Sequence, residues 1–237
     1  ETDIRLLSRA HIHLGRIANE QGRFQEAIIH LQRAIEGLHR DVTPQSWGWS
    51  HWYLGVALGS LGHYDQSLDA FTESENAFLA LDDMVHASLC LLGRTRIAQH
   101  RGQQDEALRL IESARHELSR AGARAGIAAT IHARAEMLRM SGHLAEAEDL
   151  YRQAQDRYAA IGSAHVVRVE LDLSSVLLRR KAYLEAQLIL ERVLESANEQ
   201  GRRVLGTQAY LNLMICDAQR RDWHTWDLHL VGATEGL

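Results

Sequence analysis

The chain has 237 residues, 46% of them apolar, with one proline, two cysteines and a formal net charge of −5. A pI near 6.3 argues against a general grip on phosphate backbones, which needs clustered Lys and Arg, so nucleic acid is disfavoured as a partner. No apolar run approaches the roughly 18 residues that cross a bilayer and no signal segment opens the chain, so no membrane partner and a soluble, cytoplasmic protein are expected.

Taken from the N-terminus, the chain alternates helical stretches with a short recurring phrase. It runs Gly22-Arg23-Phe24-Gln25-Glu26-Ala27, then Gly62 to Ser67, Gly102 to Ala107, Gly142 to Ala147, and more loosely Lys181 to Ala186 and Arg221 to Trp226. The intervals are 40, 40, 40, 39 and 40 residues, the period of a solenoid of helix pairs. In the first unit Leu14, Ala18, Ala27, Leu31 and Ala34 recur at helical spacing on both sides of Gly22, so two helices fold back with apolar stripes facing each other. Thr43 before Pro44 starts the third helix, as a hydroxyl cap and a proline that needs no N–H partner. Gly122, Gly162 and Gly201 fall just past second helices, where a left-handed residue closes the last turn, and Asp82 and Asp83 replace that glycine in the second unit. Small residues, Gly15, Gly55, Ala135 and Ser174 at one site and Ala27, Ser67, Ala107, Ala147 and Ala186 at another, allow close helix approach.

The expectation is an all-α, right-handed superhelical solenoid of about six units and twelve antiparallel helices. Their spans are 2–20, 23–39, 44–61, 64–81, 84–100, 103–120, 125–140, 143–160, 164–180, 183–199, 203–219 and 222–236. The whole of 1–237 reads as one repeat domain with units at 2–41, 42–81, 82–121, 122–161, 162–200 and 201–237. Because Glu1 opens the chain and the sixth unit stops short at Leu237, a fragment of a larger protein is expected.

Leu14-Gly15, Leu54-Gly55 and the turn phrases resemble the tetratricopeptide repeat. The period of about 40, longer than the usual 34, is similar to the lengthened variety in kinesin light chains and in sensor arrays of bacterial transcription activators and multidomain Ser/Thr kinases. The resemblance implies a protein-interaction module whose first helices line a concave groove. Some chaperone-binding members clamp a carboxylate terminus with Lys and Asn at sites that here carry Ile12 and Arg16.

Charge enters the expected core stripe at Arg94, Arg134 and Glu170. Either Arg134 pairs with Glu170, or these long side chains lie along the helix and release their heads into water, or Arg94 and Arg134 together hold an anion. The last unit carries Met214 and Trp226 where its predecessors are small, as an atypical terminal unit or one packed against a further segment would, and an exposed stripe including Leu228, Val231 and Leu237 offers a route to self-association.

The densest aromatic segment is Trp47-Gly48-Trp49-Ser50-His51-Trp52-Tyr53. At 100° per residue Trp47, His51, Leu54 and Leu58 face the partner helix, whereas Trp49, Trp52, Tyr53 and Val56 point to the opposite, inner face. One unit earlier that face carries Arg9, Ile12, His13 and Arg16. One unit later it carries Leu89, Leu92, Gly93 and Arg96, with Gly93 leaving room beside Tyr53 for an inserted group. Further along come His132, Glu136 and Arg139, then Arg168, Asp172 and Arg179. Arg16, Trp49, Trp52, Tyr53, Arg96, His132, Arg139 and Asp172 are the candidate groove residues. They suit a peptide with an apolar anchor and a carboxylate. The competing reading has the aromatics cement adjacent first helices.

Fourteen histidines supply no pair at metal-ligand spacing with a supporting carboxylate. Every glycine is isolated, so no loop cradles a phosphate, and no nucleophile sits on a strained elbow. Cys90 and Cys216, far apart in apolar helix, read as buried thiols. No metal, no cofactor and no catalysis are therefore expected. The alternative to a passive interaction module is a ligand-sensing or autoregulatory domain of a bacterial regulator, in which a ligand favours one curvature of the stack.

Overall fold

The structure is a computed structural model that describes residues 2–40 and 43–235. Among them lie twelve α-helices and no strand: α1 (Thr2–Glu20), α2 (Phe24–Glu36), α3 (Pro44–Ser60), α4 (Tyr64–Leu79), α5 (Met84–His100), α6 (Gln104–Arg120), α7 (Arg124–Met140), α8 (Leu144–Ala159), α9 (Val166–Arg179), α10 (Tyr183–Glu199), α11 (Arg203–Arg220) and α12 (Trp223–Glu235). Every described boundary falls within three residues of its expected place.

The joints explain this accuracy. Gly22, Gly62, Gly102 and Gly142 take φ of +72° to +84° between the helices of a hairpin, and Lys181 and Arg221 hold the same left-handed conformation at +65° and +58°. At each joint the next N–H reaches back five residues: Arg23 donates to the Ala18 carbonyl at 2.8 Å, and Ala182 to that of Leu177 at 2.9 Å. Asp82, at +57°, stands in for the glycine that closes other second helices, and Asp83 caps α5 by accepting the His86 N–H at 3.1 Å. Thr43 behaves differently from expectation. Its hydroxyl donates back to the His39 carbonyl at 3.0 Å and makes no cap bond, leaving Pro44 to open α3.

The chain comprises two compact units, Glu1–Thr130 and Ile131–Leu237, which divide inside α7. Within the first, the hairpins α1/α2, α3/α4 and α5/α6 stack in order, and the first helices α1, α3 and α5 also touch in sequence. Leu31 fills the space a Cβ at Gly15 would need, and the ring of Phe71 lies against both Gly55 and Gly93. Gly93 thus serves close packing: a Cβ there would sit 2.5 Å from Phe71, so the room expected for a ligand is taken by the core. Leu14, assigned by periodicity to the stripe facing α2, is instead 46% exposed.

In the second unit α8, α9, α10, α11 and α12 pack successively and α9 also meets α11, around buried Tyr151, Val169, Leu171, Leu173, Leu190 and Leu213. Leu228 and Val231 on α12 are 59% and 53% exposed, whereas Leu237 lies outside the described residues. Cys90 and Cys216 are free and buried, and burial pushes their thiols up to about 12 and about 11. Arg94 reaches Glu75 at 2.8 Å. Arg134 is exposed, and the Glu170 carboxylate is met by Gln155 Nε2 at 2.8 Å and Arg192 Nη2 at 3.3 Å, partners the sequence did not suggest. No helix among the described residues is long and apolar enough to cross a membrane.

Candidate functional site

In the first unit, α1 and α3 leave between them a cleft of about 230 Å³. Arg9, Ile12, His13 and Arg16 line one wall, with Gln45, Ser46, Trp49 and Tyr53 opposite. Helical spacing produces this arrangement: Arg9, His13 and Arg16 recur every three or four residues along α1, as do Gln45, Trp49 and Tyr53 along α3.

The aromatic wall is braced from behind. Trp49 stacks on Tyr53 at 5.8 Å between ring centroids and meets Phe78 and His86 edge-on at 5.3 and 4.8 Å. Asp83 orients that imidazole through a 2.5 Å contact with Nδ1. Tyr53 itself packs on Ile12, Ala18 and Ala57, and its carbonyl accepts from Asn19 Nδ2 at 2.9 Å. Burial raises the Tyr53 phenol, while the nearby Arg16 and Glu20 act on it in opposite directions.

The cationic wall is less engaged. Arg9 and His13 are exposed and make no ion pair or side-chain hydrogen bond with a described residue; Arg16 is held by Glu20 Oε1 at 2.5 Å. A second, wider hollow of about 740 Å³ lies by the turn between α5 and α6, but each of its arginines is answered locally: Arg94 by Glu75, Arg101 by Asp65 and Arg109 by Glu106. Its charge is spent on the fold.

Three of the eight candidate residues, Arg16, Trp49 and Tyr53, therefore meet in the cleft. Trp52 packs with Trp49 against Phe78, Ala87 and Cys90, and its Nε1 is buried without an acceptor in the structure. Arg96 is exposed on α5 and does not line the cleft. Gln45, Ser46 and Glu20 were missed by sequence reasoning. The first two could have been found by continuing the aromatic face one turn toward the N-terminus of α3, and Glu20 by the i, i+4 pairing rule from Arg16.

The remaining three candidates lie in the second unit, inside a network of paired charges. His132 Nε2 donates to Asp172 Oδ2 at 2.9 Å, and Arg168 Nε donates to the same oxygen at 3.1 Å. Glu136 accepts from Arg139 Nε at 2.9 Å and from the hydroxyl of fully buried Tyr151 at 2.6 Å, and Arg179 Nη1 donates to the Arg139 carbonyl at 2.9 Å. Burial alone would raise Asp172; its bond from His132 and the charge of Arg168 outweigh that and hold its carboxyl below the ordinary range. Glu136 is likewise held low against its burial by Arg139 and Tyr151. Asp172 and Arg179 stand one period after His132 and Arg139, so repeat arithmetic carried the signal for both contacts. Tyr151, on a second helix, gave none. No group of three or more His, Cys, Asp or Glu among the described residues is placed to hold a metal ion.

Models of the tetratricopeptide repeat match residues 8–36, 88–113 and 129–153. Those three stretches carry the tetratricopeptide pattern. No curated protein sequence matches the chain. Among solved structures, it is similar to the Rap conjugation gene regulator of the plasmid pLS20 in complex with the Phr* peptide. That match has 18% identity and a TM-score of 0.80 over 91% of this chain and 59% of the other. It is similar to NprR in complex with its cognate peptide NprX, with 15% identity and a TM-score of 0.76 over 96% of this chain and 65% of NprR. A Rap protein complexed with competence and sporulation factor is 11% identical with a TM-score of 0.71, covering 98% of this chain and 75% of that one. At such identities the likeness establishes the tetratricopeptide-type helical fold. The chain spans less than two thirds of two of these three proteins.

Proposed function

We propose that these tetratricopeptide hairpins form a protein-interaction module that captures an extended peptide segment between α1 and α3, and that the chain works by binding and not by catalysis. The observation that carries this reading is the pairing of Arg9 and His13, which have no ion pair with a described residue, with the braced aromatic wall of Trp49 and Tyr53 across a cleft of about 230 Å³. A guanidinium without an internal partner is available to a carboxylate, and two fixed aromatic rings offer a large apolar area with few rotors to freeze. The partner's chemistry is accordingly an apolar side chain beside an acidic group. Peptides bound to NprR and to the plasmid regulator in their own solved complexes support the same class of ligand.

The test is capture from a randomised library of N-acetylated heptapeptides by the 237-residue chain, followed by amide shift mapping of the enriched sequences. Enrichment of acidic and apolar residues with shifts on α1 and α3 is expected, and Trp49→Ala should weaken capture by about thirtyfold, the scale of a central aromatic anchor. Equal capture by Trp49→Ala, or shifts confined to other helices, overturns the reading.

A further inference from the structure

The geometry points to a more specific ligand: a peptide carrying two carboxylates three residues apart, lying along α1 in a polyproline-II-like conformation. This inference rests on the peptide-binding reading above and deepens it. Arg9 and Arg16 are seven residues apart on α1, so they leave the same face of the helix, with His13 between them. At 1.5 Å per residue their Cα atoms stand about 10 Å apart along the axis.

A ligand that places one anion on each guanidinium must repeat its acidic side chains at that distance and on one side. A polyproline-II chain has three residues per turn and rises about 3.1 Å per residue, so its side chains at i and i+3 point the same way about 9 Å apart. In a β-extended chain the same-side spacings are two residues, about 7 Å, and four residues, about 13 Å, and neither matches the ladder. The side chains between the two acids then fall toward Trp49 and Tyr53 on the opposite wall.

The two cationic stations are not equivalent. Arg9 has no ion pair with a described residue, whereas Arg16 is already clasped by Glu20, whose carboxylate occupies the place a ligand's second anion would take. Glu20 is thus an internal competitor at one station only. Its removal should strengthen peptides that present two anions and leave one-anion peptides, which can settle on Arg9, nearly unchanged.

The experiment uses N-acetylated, C-amidated heptapeptides of leucine and alanine carrying two aspartates separated by two, three or four positions, one aspartate, or none. Each is titrated into the chain by calorimetry at low salt. The three-position isomer is expected to bind about tenfold more tightly than its two- and four-position isomers, the scale of one charge-assisted hydrogen bond gained. Arg9→Ala and Arg16→Ala should each erase that preference with unchanged helicity by circular dichroism, and Glu20→Gln should tighten the three-position peptide several-fold.

Spacing isomers that bind alike, or a preference that survives Arg9→Ala, overturn the ladder. If all the peptides, the neutral one included, bind equally and lose affinity in Trp49→Ala, the ladder falls while peptide capture stands. If none of them binds, the ladder falls, and the library experiment decides the broader reading separately.

Discussion

The two units use the same helical scaffold for opposite treatments of charge. Around the α1–α3 cleft, Arg9 and His13 have no described partner and Arg16 has one exposed carboxylate. Along the first helices of the second unit, His132, Glu136, Arg139, Arg168 and Asp172 are all matched within the unit, with the phenol of Tyr151 closing the set. Buried charges are tolerated only when paired, so the second arrangement stabilises the fold at the cost of availability, and the first keeps availability at little stabilising gain. An arginine on a first helix is therefore not by itself a ligand contact. Whether a largely buried partner already answers its charge decides.

The comparison is broken most directly by Asp172→Ala, which leaves His132 and Arg168 without their acceptor. Because Asp172 is largely buried while Arg168 is half-exposed, a loss of about 3 kcal/mol is expected in urea denaturation, at the low end for a broken buried pair. A loss under about 0.5 kcal/mol, the size of an ordinary surface change, would dissolve the distinction between the units.

Acid should act on the same network. The folded pKa values of Asp172 and Glu136 lie below the ordinary values of 3.8 and 4.5. Their contribution is thus complete above those values and drains away as pH falls through the depressed ones. The urea midpoint should fall across that acid window, and Asp172→Asn with Glu136→Gln should flatten the slope. An unchanged slope in the double variant would place the acid sensitivity elsewhere.

Tyr151→Phe tests one bond, the hydroxyl donated to Glu136, and should cost about 1–2 kcal/mol because it strips a donor from a partly buried carboxylate. In the first unit Trp52→Phe exchanges a buried N–H without an acceptor for some lost ring area. The two effects oppose each other, so stability should move by less than about 1 kcal/mol and peptide capture should not change. Smallest of all, Arg9→Ala should shift the unfolding midpoint by less than about 0.5 kcal/mol, since it removes no internal partner.

The helices, their ends and the joints were legible in the sequence because each rests on local rules: a left-handed residue every 40 positions and apolar spacing of three to four. The orientation of Trp49 and Tyr53 followed from the same angular arithmetic. Two features did not. The space beside Gly93 is claimed by Phe71, which reaches it from another helix, and a face count on α5 alone has no term for that ring. The burial of Trp52 depends equally on Phe78, Ala87 and Cys90 from α4 and α5. Inter-helix packing, not propensity, decided both.

The closed network of the second unit has an evolutionary corollary. Replacing any one of His132, Glu136, Arg139 or Asp172 strands the residue opposite, so viable change there must come in compensating pairs, and such pairs arise slowly. Arg9 and His13 carry no such tie. The surface of α1 around them can therefore change one side chain at a time, whereas the paired positions of α7 and α9 can change only together.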